Sequence, residues 1–260
     1  MAEQQSLIES ITAASDFLVR LRAKLAAFAT SDDAKALLHF AVAIQPPERT
    51  PREQLTKTGR HDSLRAYLKA MARSGWYLDP SWAGGTEHFI VRILDESSPD
   101  EADDAICTLV EEGADNSLAR LEADYPQRGR FFRSAFNAHR QGDYACSIPL
   151  MLAQADGMCR DRFGVQLQAR VPGTQTTRLA TVLGDETDPF RVYMSPLLEI
   201  HPVAFSEKER QALPHQIALN RHAVLHGESL DYDTRANSCR AMSYLRFVGW
   251  ALARAKPDGH

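Results

Sequence analysis

Residues 143–164 read DYACSIPLMLAQADGMCRDRFG, and whether this run is a single helix decides the fold. Its apolar residues recur at helical spacing along its length. Gly142 stands just before it as a stop for the preceding element. Pro149 lies inside the run and has to sit in its first turns or kink it. Immediately upstream, RGRFFRSAFNAHRQG (128–142) is a second strong helical segment, entered after the break at Pro126. Downstream, two clean helices are expected at 214–227 and 233–255. Between them, residues 164–213 are less regular, with helical candidates near 175–184 and 190–199. Further upstream, helices are expected near 61–74, 86–96 and 101–122. The acidic run DESSPDEADD (95–104) is a linker leading into a helix N-terminus, where carboxylates are favoured by the helix dipole. At the start of the chain, Leu7, Ile8, Ile11, Ala14, Phe17, Leu18, Leu21, Leu25 and Phe28 mark a helix over 6–29. A second follows at 32–44, capped by Ser31 or Asp32. QPPERTP (45–51) then breaks the pattern. Runs of strict alternation are few and no repeat of fixed period occurs, so the expectation is all-α.

The totals fit a folded chain. Of 260 residues, 44% are hydrophobic and 25% charged. No window approaches the length of uninterrupted apolar residues that a transmembrane helix needs. MAEQQSLIES lacks the basic and apolar regions of a signal peptide, so a cytoplasmic protein without a membrane partner is expected. Cys107, Cys146, Cys159 and Cys239 are far apart and form no CxxC pair, which suits buried free thiols. The net charge of −4 hides an asymmetry: residues 1–123 hold 13 Lys/Arg against 20 Asp/Glu, and residues 124–260 hold 17 against 14. The mildly basic second half, rich in arginine, suits a polyanionic partner.

The residues that suggest chemistry lie in LNRHAVLHGESLDYDT (219–234). On a helix, His222 and His226 are four apart and share a face. Arg221 sits about 140° round the axis from His226, and Gly227 is placed as the stop. An imidazole can take the proton of a ribose 2′-OH or give one to a leaving 5′-oxygen. A guanidinium can hold the phosphate between them. One helix does not easily supply acid and base on opposite sides of a phosphate, whereas two protomers can, so a homodimer is expected. HxxxH spacing also suits zinc, but the glutamate of HExxH is missing and no Cys/His cluster lies nearby in sequence; no metal and no cofactor are expected. A structural role stays open, with Arg221 and the histidines bonded within the bundle or to Asp156 or Asp231.

The joint pattern resembles the HEPN superfamily, in which an arginine is followed after four to six residues by a histidine at the start of, or within, the third helix of an α-bundle. Arg221 and His226 match with four residues between. NRHAVLHG followed by DYDTRANSCRAMSYLRF is similar to the abortive-infection-like branch, and GDYACSIPLMLAQADGM resembles its second helix. The resemblance covers roughly 126–256, with an insert at 164–213, and leaves 1–125 as an N-terminal helical region without a counterpart. It implies a four-helix core, dimerisation, and metal-independent RNA cleavage in toxin, phage-defence or stress systems, with an antitoxin or regulatory partner. The alternatives are a non-catalytic RNA- or nucleotide-binding module and a dimerisation scaffold. By the same resemblance Arg221 orients the phosphate, His226 is the general base or acid and His222 assists. Asn220, Asp156 and Arg240 are the candidate substrate contacts.

Smaller features have plainer readings. Asp156 and Arg160 can pair as an i,i+4 contact. Asp231 and Tyr232 are expected to cap and anchor the last helix. His139 and His215 look like isolated surface or boundary residues. Trp76, Tyr77 and Trp82, in the loop GWYLDPSWAGG (75–85), are expected to pack beneath it or else to form a ligand patch. Leu245, Phe247, Val248 and Trp250 are expected in the core.

Overall fold

The computed structural model describes residues 57–78, 86–183, 190–212 and 219–255, all within one unit, Lys57–His260. The helices expected over 6–29 and 32–44, the break at 45–51, Trp82 and His215 lie outside the described residues. In chain order the helices are α1 (Lys57–Arg73), α2 (Thr86–Glu96), α3 (Pro99–Glu112), α4 (Ala114–Asp124), α5 (Gly129–Arg140), α6 (Tyr144–Phe163), α7 (Arg178–Val182), α8 (Arg191–Leu198), α9 (Glu207–Gln211), α10 (Arg221–Leu225) and α11 (Arg235–Arg254). Short 3-10 turns occupy Pro126–Arg128 and Pro202–Ala204. Among the described residues there is no strand, only isolated bridges Arg170–Thr177 and Thr176–Glu199 inside the 164–213 region. No described helix is long and apolar enough to cross a membrane.

The 143–164 run is one helix, α6. Asp143 caps it by accepting from the Cys146 N–H at 3.2 Å. Gly142, left-handed at φ 75°, ends the preceding α5. Pro149 is tolerated inside α6 for a visible reason. A proline has no N–H to give to the carbonyl four residues back, that of Ala145. The Tyr232 hydroxyl donates to that carbonyl instead, at 3.0 Å. This bond ties the segment before α11 to the start of α6. The cap of α11 is Thr234, not Asp231: its hydroxyl accepts from the Asn237 N–H at 3.2 Å.

α6 and α11 form the centre of the bundle. α5 and α10 pack on α6, and α3, α4 and α8 pack on α11. One hydrophobic core runs through both sides of residue 125, from Met71, Trp76, Ile106 and Val110 to Phe132, Met158, Leu245 and Phe247. Trp76 and Tyr77 are fully packed in it, as are Leu245, Phe247 and Val248, with Trp250 at its margin.

The helix expected over 101–122 is two helices, α3 and α4, divided at Gly113. The Ser98–Glu101 capping box and Pro99 start the first of them. The division accommodates a buried arginine. Arg246, on α11, donates to the Val110 carbonyl at 2.7 Å and to the Gly113 carbonyl at 3.2 Å. A Cβ at Gly113 would stand 2.5 Å from its Nη2. Burial pulls the Arg246 pKa down to about 9.

Candidate functional site

The site begins with an asparagine. Asn220 is buried beneath the Pro202–Ala204 turn. Its Nδ2 donates to the carbonyls of Pro202 and Phe205, both at 2.9 Å. Its Oδ1 accepts from the Ala223 N–H at 3.0 Å and so caps α10. Asn220 therefore faces inward and sets where α10 starts. The helix expected over 214–227 is, in its described part, only Arg221–Leu225, with Leu219 and Asn220 ahead of it in non-helical conformation. Leu219, Ala223 and Val224 bury the inner face.

Gly227, at φ 71°, ends α10 in a Schellman arrangement. Glu228 N–H bonds the Ala223 carbonyl at 2.8 Å, and Gly227 N–H bonds that of Val224 at 3.2 Å. This tight start and tight stop leave His222 and His226 exposed side by side, their ring centroids 4.3 Å apart. Glu228 lies between the pair and α9: its carboxylate is 3.7 Å from His222 Nε2 and 3.8 Å from Arg210 Nη2.

Arg221 points elsewhere. Its guanidinium is ion-paired with Asp156 on α6, where the two side chains are 19% and 17% exposed. The pair is incompletely satisfied, because Arg221 Nε and Asp156 Oδ1 are buried without a hydrogen bond. Of the two carboxylates open to Arg221 in the sequence, Asp156 takes it, while Asp231 accepts from the Ser229 hydroxyl at 3.0 Å. Arg240 joins neither group. It pairs with Asp103, donates to the Ser74 carbonyl at 3.4 Å and lies over the Trp76 ring at 4.9 Å.

Other residues near the site gave no sequence motif. Arg160, one turn beyond Asp156, lines an open hollow of about 450 Å³ together with Arg170 and Arg178. Arg170 is held by both oxygens of Glu209 at 2.9 Å. The only sequence signal for this basic hollow was the arginine richness of the second half. His139, read as a surface or boundary residue, is buried at the end of α5. Its Nδ1 lies 2.8 Å from the Ser238 hydroxyl, and Nε2 lies 3.5 Å from Glu111 Oε1. Burial lowers its pKa, partly offset by Glu111. All four cysteines are free, with Cys107, Cys159 and Cys239 buried and Cys146 exposed. No family model, curated protein or solved structure matches the chain.

Proposed function

We propose that the chain is a HEPN-like endoribonuclease that cleaves RNA without a metal at the scissile phosphate and works as a homodimer. The observation that carries this reading is the exposed His222–His226 pair, on a helix that begins with Arg221. One imidazole removes the 2′-OH proton and the 2′-oxygen attacks phosphorus. An imidazole of the partner protomer protonates the departing 5′-oxygen. Arg221 offsets charge that develops on the phosphoryl oxygens. The products are a 2′,3′-cyclic phosphate and a 5′-hydroxyl. A toxin, phage-defence or stress role, with an antitoxin or regulatory partner, goes with this reading.

A second reading is favoured by the Arg221–Asp156 pair. A carboxylate that already holds the guanidinium competes with a phosphate, and such a chain would bind RNA or a nucleotide without cutting it.

End-labelled RNA incubated with the chain in buffer without added divalent metal separates the two. Cleavage yields cyclic phosphate ends and disappears in folded Arg221→Ala and His226→Ala variants. A binding module retains RNA without product, with affinity that falls steeply as salt rises. A dimer that shows neither is a scaffold.

A further inference from the structure

Away from the His222–His226 pair, three helices bring together a set of groups that sequence spacing keeps apart. α3 supplies Glu111, α5 supplies His139 and α11 supplies Cys239. The Glu111 carboxylate, a His139 ring nitrogen and the Cys239 thiol lie within 4.8 Å of one another, with both His139 and Cys239 buried. Cys107, one turn before Glu111 on the same side of α3, is also buried and is the candidate for a fourth ligand. We propose that Cys107, Glu111, His139 and Cys239 form a structural binding site for one zinc ion.

Three observations support the assignment. The first is spacing. Tetrahedral zinc bonds of about 2.0–2.3 Å place neighbouring ligand atoms roughly 3.3–3.8 Å apart. Glu111 Oε1 lies 3.5 Å from His139 Nε2 and 3.7 Å from Cys239 Sγ. The second is the outer layer. The Ser238 hydroxyl holds His139 Nδ1 at 2.8 Å and is itself held by the Ser147 hydroxyl at 2.8 Å, which leaves Nε2 to face the centre. Arg235 grips Glu111 through both oxygens, Nε to Oε1 at 2.8 Å and Nη2 to Oε2 at 2.7 Å, and so orients the carboxylate. The third is charge. Two thiolates, one carboxylate and a neutral imidazole around a divalent ion sum to −1, and Arg235 brings the group to neutrality. Binding therefore replaces two thiol protons, released to solvent, by two metal–sulfur bonds.

The site joins side chains from α3, α5 and α11, so its role is to lock the bundle and not to act on substrate. This proposal does not depend on the nuclease reading, and its test involves no RNA.

The full chain is stripped with chelator, checked for helicity by circular dichroism, and titrated with Co²⁺. The expected result is one equivalent bound with the intense visible bands of a tetrahedral ion and a near-ultraviolet thiolate-to-cobalt band, both erased by added Zn²⁺. Zinc should also raise the melting temperature. Cys107→Ser and Cys239→Ser should each weaken the thiolate band, whereas Cys146→Ser and Cys159→Ser leave it unchanged. A folded parent chain that binds no Co²⁺ overturns the proposal, whatever the variants do. So does a thiolate band that persists in Cys107→Ser and Cys239→Ser.

Discussion

Arg221→Ala is the natural probe of function, and it also removes one partner of the Arg221–Asp156 pair. At 19% and 17% exposure, the pair lies between two regimes. Breaking a buried pair costs about 3–5 kcal/mol, and an exposed one contributes about 0–1 kcal/mol. A single truncation is therefore expected to cost about 2 kcal/mol, since the remaining charge keeps its burial and loses its counter-ion. Asp156 already has one buried oxygen without a partner, so little else can take up the loss. Removing both charges together should cost about 2–3 kcal/mol, well short of the sum, giving a coupling of about 1–2 kcal/mol. Urea denaturation of the parent, Arg221→Ala, Asp156→Ala and the double variant, all at one ionic strength, measures the cycle. Costs that add to within about 0.5 kcal/mol would refute the idea that these two side chains hold each other. For a chain of this size, the single loss lowers the melting temperature by about 4–8 °C. RNA assays on Arg221→Ala therefore belong well below that midpoint.

Acid should loosen the same region. His201 is buried beside the Pro202–Ala204 turn, and burial is the main reason its pKa falls from 6.5 to about 4. The unfolded chain then takes up a proton that the folded one resists, so stability drops as pH falls from about 6.5 to 4, by up to about 3 kcal/mol. In thermal melts across that window the parent should lose stability relative to His201→Gln as pH falls, because glutamine takes up no proton; a gap between the two that stays constant with pH would reject this. Asn220→Asp keeps the capping oxygen but turns an anion toward the Pro202 and Phe205 carbonyls, and is expected to cost about 3 kcal/mol in denaturant titrations. Gly113→Ala should cost roughly 2 kcal/mol or more by forcing Arg246 off its two carbonyls, whereas Gly142→Ala, with open space around it, should show only the strain of its positive φ, about 1 kcal/mol.

Local signals were readable in the sequence where the structure is local. α2 occupies the expected 86–96, and α5, α6 and α11 follow the periodicity, with Gly142 and Pro149 in the roles their chemistry dictates. The side-by-side histidines also follow from their spacing of four. What the sequence hid depends on distant partners. The break at Gly113 answers to Arg246, 133 residues away. His139 looked superficial because Ser238, the hydroxyl that bonds it, lies 99 residues later. Sequence distance likewise conceals the meeting of Glu111, His139 and Cys239, which no CxxC spacing could announce. The short described length of α10 reflects Asn220, whose cap begins the helix at Arg221 by means of two carbonyls from the preceding turn.

The shared core has a practical consequence for anyone dissecting the chain. A fragment starting at residue 126, where the sequence suggests a boundary, would leave α11 without α3 and α4. It would uncover the apolar surface that α11 shares with those helices and strand the Arg246 guanidinium there without the Val110 and Gly113 carbonyls. Such a piece should aggregate or refuse to express, and its silence in an RNA assay would report a broken bundle, not an inactive catalyst.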